Sequence, residues 1–99
     1  MTKKKPKLIK WDSAKYLKTE QDITDYFEAC LEMAGDDPAF ITKSLGVIAR
    51  ARGMSKLARD TGISREGLYK ALSGDGNPEF ATILKVMRAL GLKLSATPI

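Results

Sequence analysis

Apolar side chains return at helical intervals through most of this chain. Ile23, Phe27, Cys30, Leu31 and Ala34 stand at i, i+4, i+7, i+8 and i+11, the spacing of one helix face. Thr19 with Asp22 three positions on resembles a capping box, Asp standing in for the usual Glu or Gln, and Gly35 supplies the stop. Asp37-Pro38 restarts the chain as N-cap and first helical residue. Ile41, Leu45, Ile48 and Ala49 mark the second buried face, and Arg50, Arg52 and Gly53 close that helix. Two short helices follow, over 55–61 and 65–72, joined by Gly62-Ile63-Ser64. The loop Ser73-Gly74-Asp75-Gly76-Asn77 ends in Asn77-Pro78, a second cap-and-proline start. The last helix then buries Phe80, Ile83, Leu84, Met87 and Leu90, and Gly91 stops it.

The period changes at both ends. Leu92-Lys93-Leu94-Ser95-Ala96 alternates apolar and polar, which predicts a short strand over 92–96. A lone strand is unstable in water, so its partner would be the same strand of a second copy or a bound protein. At the N-terminus, Lys3, Lys4, Lys5, Pro6, Lys7 and Lys10 read as a flexible basic arm over 1–11. Asp12 or Ser13 can cap a short turn that carries Ala14, Tyr16 and Leu17, with Trp11 and Leu17 anchoring it to the body. Residues 12–99 then form a single domain, all-α apart from the final strand, with five substantial helices.

The two short helices hold the most specific pattern. A steep crossing with almost no connector needs a small residue on the first helix, a turn residue that tolerates positive φ, and an aliphatic plug on the second. Ala58, Gly62 and Leu68 meet those needs, with Ile63 and Ala71 lining the seam and Ser64 as N-cap of the second helix. An αα-corner in a protein that binds no DNA can share this pattern. Arg65, Glu66, Tyr69 and Lys70 fall outside the seam. A helix in the major groove reads base edges with its first turns, and arginine is the usual bidentate partner of guanine, which makes Arg65 the leading base contact. Tyr69 either meets the sugar-phosphate backbone or packs into the core. Glu66 either accepts from cytosine or pairs with Lys70. Ser55 and Asn77, each read as lying at a helix start, and Lys56 are candidate phosphate contacts. Lys43, Arg50 and Arg52 read as ordinary surface charge.

Composition narrows the chemistry. The 99 residues include no histidine and one cysteine, Cys30, which excludes a histidine-dependent triad and an ordinary zinc site, and no cofactor is expected. No nucleophile stands beside a base at a recognisable spacing, so an enzyme is not expected. The lone cysteine suits a reducing cytoplasm. The basic start lacks the apolar stretch of a secretory leader, and no run reaches the roughly 18 apolar residues of a membrane span. The net charge of +5 is unevenly placed: 1–19 carries +6, 20–42 carries −7 with no basic residue, and 43–99 carries +6. The acidic block can be a solvated helix face, and its early members Glu20 and Asp22 suit the helix dipole.

From Asp12 to Leu94, and most closely in "ARARGMSKLARDTGISREGLYKALS", "GNPEF" and "ALGLKL", the chain resembles the Xre/lambda-repressor-like domain of addiction-module antidote proteins, a branch related to the HigA antitoxins. The resemblance implies a lambda-repressor-like five-helix domain with a helix-turn-helix. It also implies a DNA-binding antitoxin of a type II module that neutralises a RelE/ParE-like toxin and represses its own operon. The recognition helix falls on Ser64, Arg65, Glu66, Tyr69 and Lys70, and the scaffold on Ala58, Gly62, Leu68 and Ala71. One departure is the short lead-in Gly53-Met54-Ser55-Lys56, which bears on the helix start and on any phosphate role for Ser55. RelE-like toxins tend to be basic, so an acidic surface through Asp25, Glu28 and Glu32 would complement one. Half-sites on DNA are usually read in pairs, so a two-fold homodimer on double-stranded operator DNA is expected. A stand-alone Xre-type repressor without a toxin, and an interaction module that binds no DNA, are the competing readings.

Overall fold

The computed structural model describes residues 15–99. The basic arm, Trp11 and the capping residues of the first turn lie outside the described residues. Within them the chain forms five helices and no strand: α1 (Glu20–Ala34), α2 (Pro38–Arg52), α3 (Met54–Thr61), α4 (Arg65–Ala71) and α5 (Phe80–Ala89). A single 3-10 turn at Lys15 and Tyr16 precedes them, and Leu17 behind it is buried in the core.

The expected caps set most boundaries. The Thr19 hydroxyl accepts from the Asp22 N–H at 3.0 Å, and the Asp22 carboxylate accepts from the Thr19 N–H at 3.1 Å. Both halves of the capping box are therefore made with aspartate. The Lys18 N–H donates to the same carboxylate at 3.0 Å. These backbone N–H donors from Thr19 and Lys18 hold the Asp22 carboxyl below its ordinary value of 3.8. At α2 the Asp37 carboxylate accepts from the Ala39 and Phe40 amides, with Pro38 opening the helix.

α2 is the central element. Six consecutive residues, 44–49, are buried. A helix covered on one side shows a stripe; α2 is covered all round, so Ser44, Gly46 and Val47 are buried beside the expected Leu45, Ile48 and Ala49. α1 packs along one flank of α2, and α3 touches α2, α4 and α5. The close approach is at Gly46, where a Cβ would stand 3.1 Å from the Leu72 carbonyl oxygen. The Ser44 hydroxyl is satisfied within its own helix, donating to the Ile41 carbonyl at 2.7 Å. Cys30 of α1 is 1% exposed; burial pushes its thiol pKa up, opposed by hydrogen bonds with Tyr26 and Ser44, so it stays an inert core residue.

Four expectations change. Residues 92–96 form no strand: the alternation is present, but the described residues hold no second strand to complete a ladder. Leu92 is half-buried against the core while Leu94 is exposed. The last helix starts at Phe80 with Glu79 as N-cap, so Asn77-Pro78 is not a cap-and-start pair. The Glu79 backbone is extended (φ −65, ψ 143), and proline fixes only its own φ, so helix need not follow it directly. Phe80, now in the first turn, is 65% exposed instead of buried. On α1, Leu31 is exposed, and Tyr26 and Ala29 are buried on the opposite flank of the stripe. The buried arc of α1 is therefore rotated toward Tyr26 relative to the expected stripe.

Candidate nucleic-acid interface

The turn between the two short helices is built from four local bonds. The Gly62 N–H donates to the Ala58 carbonyl at 2.9 Å and closes α3 with Gly62 in the left-handed region (φ 76, ψ 10). Any side chain at that φ is strained, which is why glycine stands there. The Thr61 hydroxyl donates to the Leu57 carbonyl at 2.8 Å and accepts from the Ile63 N–H at 3.2 Å, fixing the exit from the turn. The Ser64 hydroxyl then accepts from the Gly67 N–H at 3.0 Å and starts α4.

α4 rests on Leu68, which is fully buried, with Gly67 and Ala71 half-buried along one flank of it. At helical spacing this leaves Arg65, Glu66, Tyr69 and Lys70 on the opposite face, and all four are exposed. Tyr69 is 46% exposed, so core packing does not claim its whole ring. Glu66 and Lys70 make no ion pair with each other, so neither alternative use of Glu66 is anchored by an intrahelical partner. The outer face of α4 is thus polar, largely unpaired and not required by the core.

The other expected contacts are less uniform. Ser55 and Lys56 are exposed on the first turn of α3, whose N-cap is Gly53 with no side-chain cap bond, so Ser55 is the second helical residue and not the cap. The Lys56 ammonium is 2.8 Å from the Asp60 carboxylate one turn on, and that bond holds the Asp60 carboxyl below its ordinary value. Asn77 lies two residues ahead of the α5 cap, on the rim of an open groove of about 400 Å³. Lys70, Gly67, Gly76, Asn77 and Thr82 border that groove, so the fold brings Lys70 and Asn77 to one place although their helical and loop contexts differ. Lys43 does not simply face solvent from α2. A Cβ built on Gly74 would fall 2.6 Å from its Cε and 2.7 Å from its Cγ, so the lysine stem lies directly across that loop glycine.

Asp25, Glu28 and Glu32 are far in character from this face. With Gln21 they centre the side of α1 opposite the buried arc, and all are exposed. The Gln21 amide donates to the Asp25 carboxylate at 2.8 Å. Among the described residues no cluster of three or more His, Cys, Asp or Glu side chains is placed to hold a metal ion, and no helix is long and apolar enough to cross a membrane.

An all-helical chain with a tight corner of two short helices and a separate acidic stripe is thus the class that the geometry defines. Over residues 7–98 it matches the family model described as "Probable addiction module antidote protein". An uncharacterized protein of Haemophilus influenzae is 55% identical to it over 83 residues, 84% of each chain. No solved structure matches the chain. The protein belongs to the family of probable addiction module antidote proteins.

Proposed function

We propose that the protein is the DNA-binding antitoxin of a type II toxin–antitoxin module. In this reading α3 and α4 are a helix-turn-helix of lambda-repressor-like type, and α4 enters the major groove of operator DNA. Arg65 reads a base edge; Glu66, Tyr69 and Lys70 flank it. Ser64 holds the start of the helix, and Ser55, Lys56 and Asn77 approach phosphates. Two copies bind as a two-fold homodimer. The toxin is a small basic RelE/ParE-like protein, met by Asp25, Glu28 and Glu32 on the far face of the molecule. Binding both partners neutralises the toxin and represses the shared operon.

The observation that carries the reading is the outer face of α4. The helix is pinned from behind by its one buried residue, Leu68, capped by Ser64, and presents four polar side chains that make no ion pair among the described residues. Membership of an antidote family favours a toxin partner over a stand-alone repressor. The deciding experiment is co-purification with the product of the adjacent gene, followed by a gel shift of protein and complex on the DNA upstream of the pair. A stable complex and a salt-sensitive, sequence-selective shift are expected; a protein that binds the neighbour but no duplex at low salt overturns the DNA half.

A further inference from the structure

We infer that Lys43, on α2, is a phosphate-contacting residue of the DNA face, held there by the loop glycine Gly74. The inference rests on the DNA reading proposed above and adds a helix that the corner itself does not contain. The side chain leaves α2 and runs across Gly74, whose missing Cβ would fall 2.6, 2.7 and 3.1 Å from Cε, Cγ and Cδ. Gly74 is at φ 84, in the left-handed region, so the backbone disfavours a side chain there and leaves the space that the lysine stem occupies. With Cε against the loop, the ammonium is one bond further along. It therefore lies over the loop between α4 and α5, where the side chain remains exposed.

That loop is already organised. The Ser73 hydroxyl donates to the Lys70 carbonyl at 3.0 Å and accepts from the Asp75 N–H at 3.1 Å, which folds 73–75 tightly onto the end of α4. Gly76 and Asn77 follow at once and border the groove shared with Lys70. Lys43 makes no ion pair or hydrogen bond through its ammonium among the described residues, in contrast to Lys56, which is held by Asp60. A cation whose stem rests against a loop has lost part of its side-chain freedom, so its contact with a phosphate costs less ordering than that of a lysine with no such contact.

The test uses the full chain, titrated against a duplex from the DNA upstream of its own coding sequence and against a shuffled duplex of equal length, over a salt series. Lys43→Gln is compared with Lys93→Gln, which removes the same charge from the exposed C-terminal segment, and with Arg65→Ala. Lys43→Gln is expected to weaken both duplexes alike and to make the log–log salt slope shallower by about one, with Lys93→Gln near wild type. An unchanged slope, equal losses in the two lysine variants, or a loss confined to one duplex each overturns the role of Lys43. The DNA reading itself stands or falls separately, on whether the wild-type chain binds duplex and whether Arg65→Ala erodes the preference between the two. Circular dichroism of Lys43→Gln is expected to match wild type, because the ammonium supports no bond in the folded chain.

Discussion

The Ser64 hydroxyl accepts the Gly67 backbone N–H at 3.0 Å, and that bond anchors the whole seven-residue helix α4. A helix this short is not stable by itself, so its cap and its one fully buried residue decide whether Arg65 is held in place. Ser64→Ala is expected to cost about 0.5–2 kcal/mol in stability, and Ser64→Gly only a few tenths. Chemical unfolding at neutral pH measures the difference. Equal losses in the two variants would show that the hydroxyl does not act as the cap.

Gly67 is part of the same device. A Cβ there would stand 3.1 Å from the Ser64 hydroxyl and 3.1 Å from Ile63 Cγ2. The crowding is local to the corner. Alanine gains about 1 kcal/mol of helix propensity over glycine, so Gly67→Ala has two opposed effects. Because the nearby atoms are the capping oxygen and a seam side chain, the steric loss is expected to win, and Gly67→Ala should unfold at lower denaturant than wild type. A more stable Gly67→Ala would mean that the seam relaxes without disturbing the cap.

Asp22 ties stability to pH. Backbone N–H donors from Thr19 and Lys18 lower its carboxyl pKa below 3.8, so its folded value is depressed relative to the unfolded chain. Its contribution is fully present above the unfolded value and is lost as pH falls through the folded one. Asp22→Asn is therefore expected to be less stable than wild type at neutral pH, and the gap should close as the pH is taken below about 4. Melting curves of both proteins across that range test it; a gap that stays constant with pH would assign the effect to something other than the charge.

The boundaries were legible wherever the determinant was local. Thr19 with Asp22, Asp37 with Pro38, and Gly62 at the turn each act through bonds within a few residues, and each works as the pattern predicts. The corner of α3 and α4, with Ala58, Gly62, Ser64 and Leu68, was legible for the same reason. What stayed hidden depends on the rest of the molecule. Residues 44–49 of α2 are buried on all sides because three other helices pack around the helix, which its own periodicity cannot express. Phe80 reads as core by type but sits in a first turn that the core does not reach. The alternation of 92–96 gave strand period without a ladder partner. The contact of Lys43 with Gly74 was unreadable, since the two are distant along the chain and only the fold joins them.

Arg65 is the residue on which sequence preference should depend. It is exposed in the first turn of α4 and makes no ion pair among the described residues. Arg65→Ala is expected to cost about 1–3 kcal/mol at one base pair while leaving affinity for shuffled DNA nearly unchanged. Competition binding with single-base variants of the preferred duplex locates that base pair. If all variants weaken equally, Arg65 contacts phosphate and another residue reads the bases.

The acidic stripe makes the complementary prediction for the second partner. Asp25, Glu28 and Glu32 project from the outer side of α1, opposite the side that packs on the core, so reversing their charges should leave the fold intact. A triple reversal to lysine changes the local charge by six units and should sharply weaken capture of a basic toxin, chiefly through slower association. The effect should fade as salt screens the surfaces. Duplex binding by the same variant should not fall, because the stripe belongs to α1, which packs on α2, and the added charge is positive. Toxin affinity equal to wild type at low salt would move the toxin interface off this stripe, whatever the DNA measurements show.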